Sequence, residues 1–300
     1  MKWVLVLLFV ASAAYVHFRG KVRHRLGRQL LDHSTFMAPV NVLMYAFSRV
    51  PTTPFLDPGK HFPELESLRG NWQAIRDEAR HLREMQHIKA ADGYNDVGFN
   101  SFFRRGWKRF YLKWYDDAHP SAAELCPRTT ELLRAIPSVK AAMFTELPPG
   151  SDLRKHRDPF AGSLRLHLGL ETPNDDACFI DVDGTRYSWR DGEWTMFDET
   201  YIHWARNDSG QNRTILFCDI ERPMKYRWAQ WLNHFVGKNL VAAGASPNME
   251  GDKTGAINRL FKYFYAVRLK TKELRKRSKA TYYALKYLGV ALVIALIIWI

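Results

Sequence analysis

The chain has 300 residues, of which 46% are hydrophobic and 25% charged, with a formal net charge of +13. That length suits one sizeable domain with extensions better than two ordinary domains. Cys126, Cys178 and Cys218 are odd in number and lack CxxC spacing, which excludes a disulfide framework and a cysteine zinc site and fits a reducing compartment.

In chain order, Trp3 through Phe18 is almost unbroken apolar sequence. As a helix it extends about 24 Å, slightly short of a hydrocarbon core of roughly 30 Å, so it spans only if its flanks adapt. Ala11-Ser12-Ala13-Ala14 is similar to a signal-peptide cleavage site. One lysine precedes the run, however, while Arg19, Lys21, Arg23, Arg25 and Arg28 follow it, and the positive-inside rule then keeps the downstream chain in the cytoplasm. Residues 1–19 are therefore assigned to an N-terminal transmembrane helix and 20–60 to a basic, proline-interrupted juxtamembrane segment. Within it, Phe36 to Phe55 is apolar but broken by Pro39, Pro51 and Pro54, which suits a stretch lying along the membrane. Leu65, Leu68, Trp72, Ile75, Ala79 and Leu82 recur at steps of three and four and predict an amphipathic helix from Pro63 to Met85.

The middle of the chain is strand-rich. Trp107 to Trp114 reads as an aromatic strand, and Ser138 to Glu146 as another leading into the Pro148-Pro149-Gly150 turn. Alternation from Ser163 to Leu168 puts Leu164, Leu166 and Leu168 on one face. Arg165 and His167 occupy the other, facing either solvent or a barrel interior where they need partners or a substrate anion. Asp183-Gly184 is a type I′ hairpin signal, and Arg190-Asp191-Gly192 marks the next turn. Short, closely spaced strands favour an antiparallel barrel over alternating βα units. Trp189, Trp194 and Trp204 are expected in its core. Residues 61–240 form this domain, returning to helix after Pro223.

Residues 241–281 are a second basic juxtamembrane segment, dense in Arg268, Lys270, Lys272, Arg275, Lys276, Arg277 and Lys279. Residues 282–300, apolar apart from Lys286, predict a C-terminal transmembrane helix. Both basic clusters face the middle of the chain and place it in the cytoplasm. Aromatic residues interleaved with these cations would also suit nucleic acid. Positive charge abutting predicted spans is better assigned to anionic lipid, at about 1 kcal/mol per cation, so a membrane and no nucleic acid is expected as partner.

The chemistry concentrates in His156-Arg157-Asp158, with His203 and Arg213 downstream. In extended chain, i and i+2 share a face, so His156 and Asp158 can reach one metal ion. His203 follows the strand-like Trp194-Thr195-Met196-Phe197 and can supply a third ligand. Two imidazoles and a carboxylate make a facial triad that leaves positions on Fe(II) open for a 2-oxo acid and dioxygen. Arg213 opens the apolar run Thr214 to Cys218, where its guanidinium can hold a carboxylate in a two-pronged contact. Against this stand plainer readings: HxD arises by chance in a chain with 11 histidines, Asp158 before Pro159 suits a turn, and His203 suits a hydrogen-bonded core.

Residues Phe144 to Asp219 resemble the aspartyl/asparaginyl β-hydroxylase family. The resemblance is carried by Phe144-Thr145, Pro149-Gly150, His156, Leu164 to Leu170, Gly192, Phe197-Asp198, His203 and Arg213. It implies a mainly β double-stranded β-helix (jelly-roll) core with flanking helices, with Fe(II), 2-oxoglutarate and dioxygen as cofactor and cosubstrates. By the same resemblance His156 and His203 bind iron, and Arg165, His167, Arg213 and the Thr145 hydroxyl contact the 2-oxo acid. Peptide-modifying members have no carboxylate two residues after the first iron histidine. Asp158 is present here, restoring a three-ligand site. With a terminal span on each side, and through Asp32 to Phe36 and Ala38 to Tyr45, the layout resembles the bacterial, inner-membrane members that act on lipid A, which implies 2-hydroxylation of a secondary acyl chain. The alternatives are a peptidyl aspartyl/asparaginyl hydroxylase and a noncatalytic membrane adaptor with a degenerate barrel.

Overall fold

Alternating side chains after residue 138 form eight strands that pass back and forth between two antiparallel sheets in a computed structural model, which describes residues 2–91 and 96–299. In chain order the strands are β1 (Phe55–Leu56), β2 (Lys108–Trp114), β3 (Val139–Leu147), β4 (Asp152–His156), β5 (Ser163–Glu171), β6 (Cys178–Val182), β7 (Thr185–Ser188), β8 (Trp194–Phe197), β9 (His203–Asn207) and β10 (Arg213–Glu221). One sheet has the order β1-β8-β5-β10-β3-β2 and the other β4-β9-β6-β7. From β3 onward this is the double-wound, jelly-roll arrangement, extended at both edges of the larger sheet by β1 and β2. The β6–β7 hairpin turns through Asp183 and Gly184, both with positive φ (53° and 86°), as a type I′ turn requires.

The period-2 pattern divides the larger sheet into two faces. Leu164, Leu166 and Leu168 of β5, with Leu216 of β10 and Phe144 of β3, pack outward against Leu68, Ile75, Ala79 and Leu82. The inner face packs Met143, Phe197, Ile215 and Phe217 against Ile180, Val182 and Ala205 of the smaller sheet. The helix expected from Pro63 to Met85 is instead three pieces: a 3-10 turn at Pro63–Leu65, a helix at Glu66–Gly70 and the main helix Trp72–Glu84. The break falls at Gly70-Asn71, where glycine propagates a helix poorly and the Asn71 side-chain amide donates to the Ser67 carbonyl at 2.8 Å.

A third core joins the N-terminal helix to the domain. Val16 of helix Lys2–Phe18, Met44 and Tyr45 of helix Ala38–Ala46, Phe160 and Ala161 after β4, and Ala229 and Val236 of helix Arg227–Val236 pack together. The stretch Phe36 to Phe55 therefore seats part of its apolar surface on protein, and its prolines lie at the start of a helix and in the turns around β1.

The two expected transmembrane helices require correction. Among the described residues no helix is long and apolar enough to cross a membrane. The N-terminal helix has 17 residues, and its last turn, with Val16 and His17 buried, is used for docking. The C-terminal helix, Lys279–Trp299, spends its first turns on Lys279, Tyr282, Tyr283 and Lys286, so its unbroken apolar run starts late. Met1 and Ile300, at the ends of the expected spans, lie outside the described residues.

Candidate functional site

Strands β4 and β9 pair with His156 directly opposite His203, which converts 47 residues of sequence separation into a cross-strand contact with ring centroids 4.2 Å apart. Asp158 lies just past the end of β4, where its backbone N–H donates to the Glu199 carbonyl at 2.9 Å. The ligand atoms of His156, Asp158 and His203 all lie within 4.8 Å of one another. Each imidazole is also oriented. Nδ1 of His156 is 2.6 Å from the Arg154 carbonyl and Nδ1 of His203 is 3.0 Å from the Tyr201 carbonyl. A carbonyl only accepts, so both Nδ1 atoms carry the proton and both Nε2 lone pairs are free for a metal, the usual arrangement behind a ligating histidine.

Electrostatics favour the same protonation states. Burial, then the charge of its neighbour His156, pushes His203 down to about 3, and burial lowers His156 as well. Both rings are neutral at pH 7, as ligands must be. Burial alone would raise the Asp158 carboxyl, but the nearby Arg165 charge, helped by His203 and His156, outweighs it and brings the group down to about 2.

Arg165 sits behind Asp158 at the centre of an acidic cluster. Its Nη2 donates to Asp158 Oδ2 at 2.9 Å and contacts Glu199, and its Nε donates to Asp219 Oδ1 at 2.8 Å. Asp219 is its cross-strand partner on β10. Burial raises Glu199 well above the usual carboxylate range and raises Asp219 too, so the cluster retains proton to offset its excess negative charge.

A pocket opens beside the triad, lined by Thr145, His167, Trp189, Arg213 and both histidines of the cluster. Arg213 is buried, and its Nη1 reaches only Thr145 Oγ1 at 3.4 Å, with Nε unpartnered. Among the described residues no carboxylate lies within ion-pair distance of it. Burial lowers this guanidinium to about 10, and the Trp189 ring lies 4.5 Å beneath its central carbon. The Trp189 indole N–H donates to His167 Nδ1 at 3.3 Å. That leaves the proton of neutral His167 on Nε2, which is buried and has no partner. Two unpaired donors and a hydroxyl thus converge next to a metal-ligand set, and a buried cation without a counter-ion calls for an anion.

Of the residues singled out in the sequence, the structure gathers His156, Asp158 and His203 into one cluster and Thr145, His167 and Arg213 into one pocket. Arg165 lines that pocket, but its donors are held by the three carboxylates. Trp189, read as core, is core and pocket wall together. Trp194 packs on the outer core and Trp204 against Phe179. Glu199, Asp219 and Phe102, whose ring lies 4.9 Å from that of His156, escaped sequence reading. Asp219 faces Arg165 only through the pairing of β5 with β10, which the sequence does not show.

A model of the aspartyl/asparaginyl beta-hydroxylase family matches residues 69–223. The chain is 32% identical over 199 residues to an ornithine lipid ester-linked acyl 2-hydroxylase of Rhizobium tropici, covering 64% of this chain and 70% of that protein. It is 28% identical over 207 residues to human aspartate beta-hydroxylase domain-containing protein 2, covering 66% of this chain and 54% of that one. With human aspartyl/asparaginyl beta-hydroxylase the identity is 27% over 164 residues, covering 53% of this chain and 21% of the human protein. The chain therefore spans only part of the length of the human relatives. The paired histidines, the oriented lone pairs and a family match across more than half of the residues agree: this chain belongs to the aspartyl/asparaginyl β-hydroxylase family of hydroxylases.

Proposed function

We propose that the protein is an Fe(II)- and 2-oxoglutarate-dependent oxygenase that hydroxylates an acyl chain of a membrane lipid, with lipid A as substrate and carbon 2 of a secondary chain as the site. The observation that carries the cofactor assignment is the unpaired, buried guanidinium of Arg213 beside the His156–Asp158–His203 cluster. Ferrous iron with a bound 2-oxo acid supplies dioxygen activation, coupling C–H hydroxylation to decarboxylation of the 2-oxo acid to succinate and carbon dioxide.

The donor set fits both groups. His156 and His203 offer Nε2 and Asp158 a carboxylate oxygen, a mixed nitrogen and oxygen set suited to non-haem iron. Arg213 offers a two-pronged contact to the distal carboxylate of 2-oxoglutarate, with Thr145 and the His167 Nε2–H as further donors. Arg165 holds Asp158 in place, so its contribution to the metal centre passes through the carboxylate. Phe102, Trp189 and Phe197 wall the pocket and limit water around the reacting groups.

Two observations support a lipid rather than a peptide. One is the similarity to the ornithine lipid acyl 2-hydroxylase. The other is the resemblance of Asp32 to Tyr45 to members that act on lipid A. The same reading places the protein at the bacterial inner membrane with its catalytic domain on the cytoplasmic side. Mass spectrometry of lipid A from cells with and without the protein tests it: gain of one oxygen mass on an acyl fragment, lost in His156→Ala and His203→Ala, is the expected result. The same mass gain on a peptide, with lipid A unchanged, would replace this substrate with the peptidyl one.

A further inference from the structure

A larger groove, with a volume of about 580 Å³, also borders the triad. Met37, Phe102, Trp114, Phe160, Val241 and Ile257 form most of its apolar wall, and His156 and Asp158 line it as well. We infer that this groove holds one saturated acyl chain of the substrate lipid, its reacting carbon at the His156–Asp158 end and its far end against Leu240, Val241, Gly244 and Ile257, which set the chain length accepted. The inference rests on the reading of the protein as a lipid acyl hydroxylase.

Size and continuity support this occupant. The volume falls within the range of small-molecule sites, which are mostly apolar with a few polar groups at one end. His156 lines both the groove and the Arg213 pocket, as do Phe99 and Phe102, so the histidine cluster borders an anion-demanding pocket and an apolar one. His203 is more deeply enclosed, and of the three ligands only His156 and Asp158 face the groove.

Several of the polar groups in the wall are already engaged within the protein. The Tyr115 hydroxyl donates to Ser163 Oγ at 3.3 Å, Ser163 donates to Glu199 Oε1 at 2.7 Å, and Asp219 is engaged by Arg165. An extended peptide would bring backbone N–H and C=O groups that this surface leaves unmatched, whereas a hydrocarbon chain needs only contact. The far wall, Leu240 to Ile257, and Met37 lie outside residues 69–223, so the segments that bound the groove are not those that carry the family's common core.

Gly244 offers a clean way to shorten the groove. A Cβ built there meets only Val97 Cγ1, at 3.7 Å, and its backbone needs no positive φ, so the main chain accepts a side chain at this position and Gly244→Leu is the substitution to try. Each methylene excluded from an apolar site is worth about fourfold in affinity, so excluding two or three weakens a fitting chain on the order of tenfold or more.

The test uses the full chain in vesicles containing a phosphatidylglycerol with a diazirine at the end of one saturated chain, in a long and a short version. In the wild type, light-induced crosslinks from the long chain are expected at Leu240, Val241 and Ile257. In Gly244→Leu they should fall on the order of tenfold, with the short chain still captured and Mn(II) affinity unchanged. Val241→Phe repeats the measurement should Gly244→Leu lose metal binding. Crosslinks confined to the exposed N- and C-terminal helices, or indifferent to both substitutions, overturn the inference. Groove crosslinks without any hydroxylation of lipid would uphold the acyl site and remove the proposed reaction. Hydroxylation with an unchanged chain-length profile in both variants would uphold the reaction and remove the site.

Discussion

Arg213 pays for its position with an uncompensated buried charge, which gives it an unusual mutational signature. Replacing Arg213 with Met removes a charged, bidentate contact worth about 1.5–3 kcal/mol per hydrogen bond, so affinity for 2-oxoglutarate should fall on the order of 100-fold by calorimetry. Without the cosubstrate, the same substitution should leave the protein as stable as the wild type or raise it by about 1–3 kcal/mol in urea unfolding, because a buried unpaired cation is replaced by an apolar group. A clear loss of stability would mean that Arg213 has a structural counter-ion, against the pocket described above. The paired histidines make a second prediction. His203 is near 6.5 when unfolded and near 3 when folded, so between these values the unfolded chain binds the proton and the folded chain does not. Stability of the metal-free protein should therefore be full above pH 6.5 and decline as pH falls toward 3. A urea midpoint that stays flat across that range would contradict the burial assigned to His203. At this scale the sequence was informative where a residue type has few other uses: His-x-Asp, a distal His and an Arg opening a buried strand were all visible. Glu199 and Asp219 were not, because an isolated carboxylate in a β-rich sequence looks the same whether it faces water or a buried arginine.

At the scale of elements, period-2 alternation exposed the strands of the jelly roll, and the Asp183-Gly184 pair exposed its hairpin. The N-terminal segment was harder to read, because its arginines and histidines suit a lipid surface and a protein interior equally. In the structure much of it clamps the segments that carry His156, Asp158 and the approach to His203. Arg28 donates to the Lys155 carbonyl at 2.7 Å and His33 to the Arg157 carbonyl at 2.7 Å. Asn41 donates to the Pro159 carbonyl and accepts from the Ala161 N–H, both at 2.9 Å. Arg157, between the two ligands of the HxD segment, reaches back to the Val16 carbonyl at 2.6 Å. Arg19 lies between the Tyr45 and Tyr201 rings, 3.9 Å from each, and pairs with Asp198 at 2.6 Å, five residues before His203. The segment therefore braces the His156–Asp158 loop and the approach to His203 from outside the family-matched stretch. Asn41→Ala should cost about 1–3 kcal/mol of stability. It should also weaken Mn(II) binding and speed hydrogen exchange at residues 157–161. Unchanged metal affinity and exchange would show that the loop keeps its shape without the clamp.

At the scale of the molecule, apolar surface is exposed on the chain segments next to residues that line the groove. Leu30, Leu31 and Phe36 project near His33 and Met37, while Trp228, Trp231 and Phe235 belong to the helix leading to Leu240, with Leu260 and Phe264 beyond Ile257. Leu31 is 80% exposed and Trp231 65%, and apolar exposure on this scale marks an interaction surface. Cations are interspersed with it along the chain: Arg23, Arg25 and Arg28 in the N-terminal segment, and Arg227, Lys238 and Arg259 in the C-terminal one. Such a surface suits an interfacial bilayer contact, which lets an acyl chain enter the groove without leaving the lipid phase and does not require a spanning helix. The two contributions separate with salt. Each cation near an anionic surface adds about 1 kcal/mol and is screened over roughly 8 Å at physiological ionic strength, whereas each inserted side chain adds about 1.5–3 kcal/mol that salt does not reduce. The full chain should therefore float with phosphatidylglycerol vesicles, lose part of that binding in high salt, and retain the rest. Leu31→Gln with Trp231→Gln should remove most of the salt-resistant part while Mn(II) affinity stays at the wild-type value. Binding that the double substitution leaves untouched and high salt abolishes would show that this face meets the membrane through charge alone, with the groove mouth held clear of the acyl region.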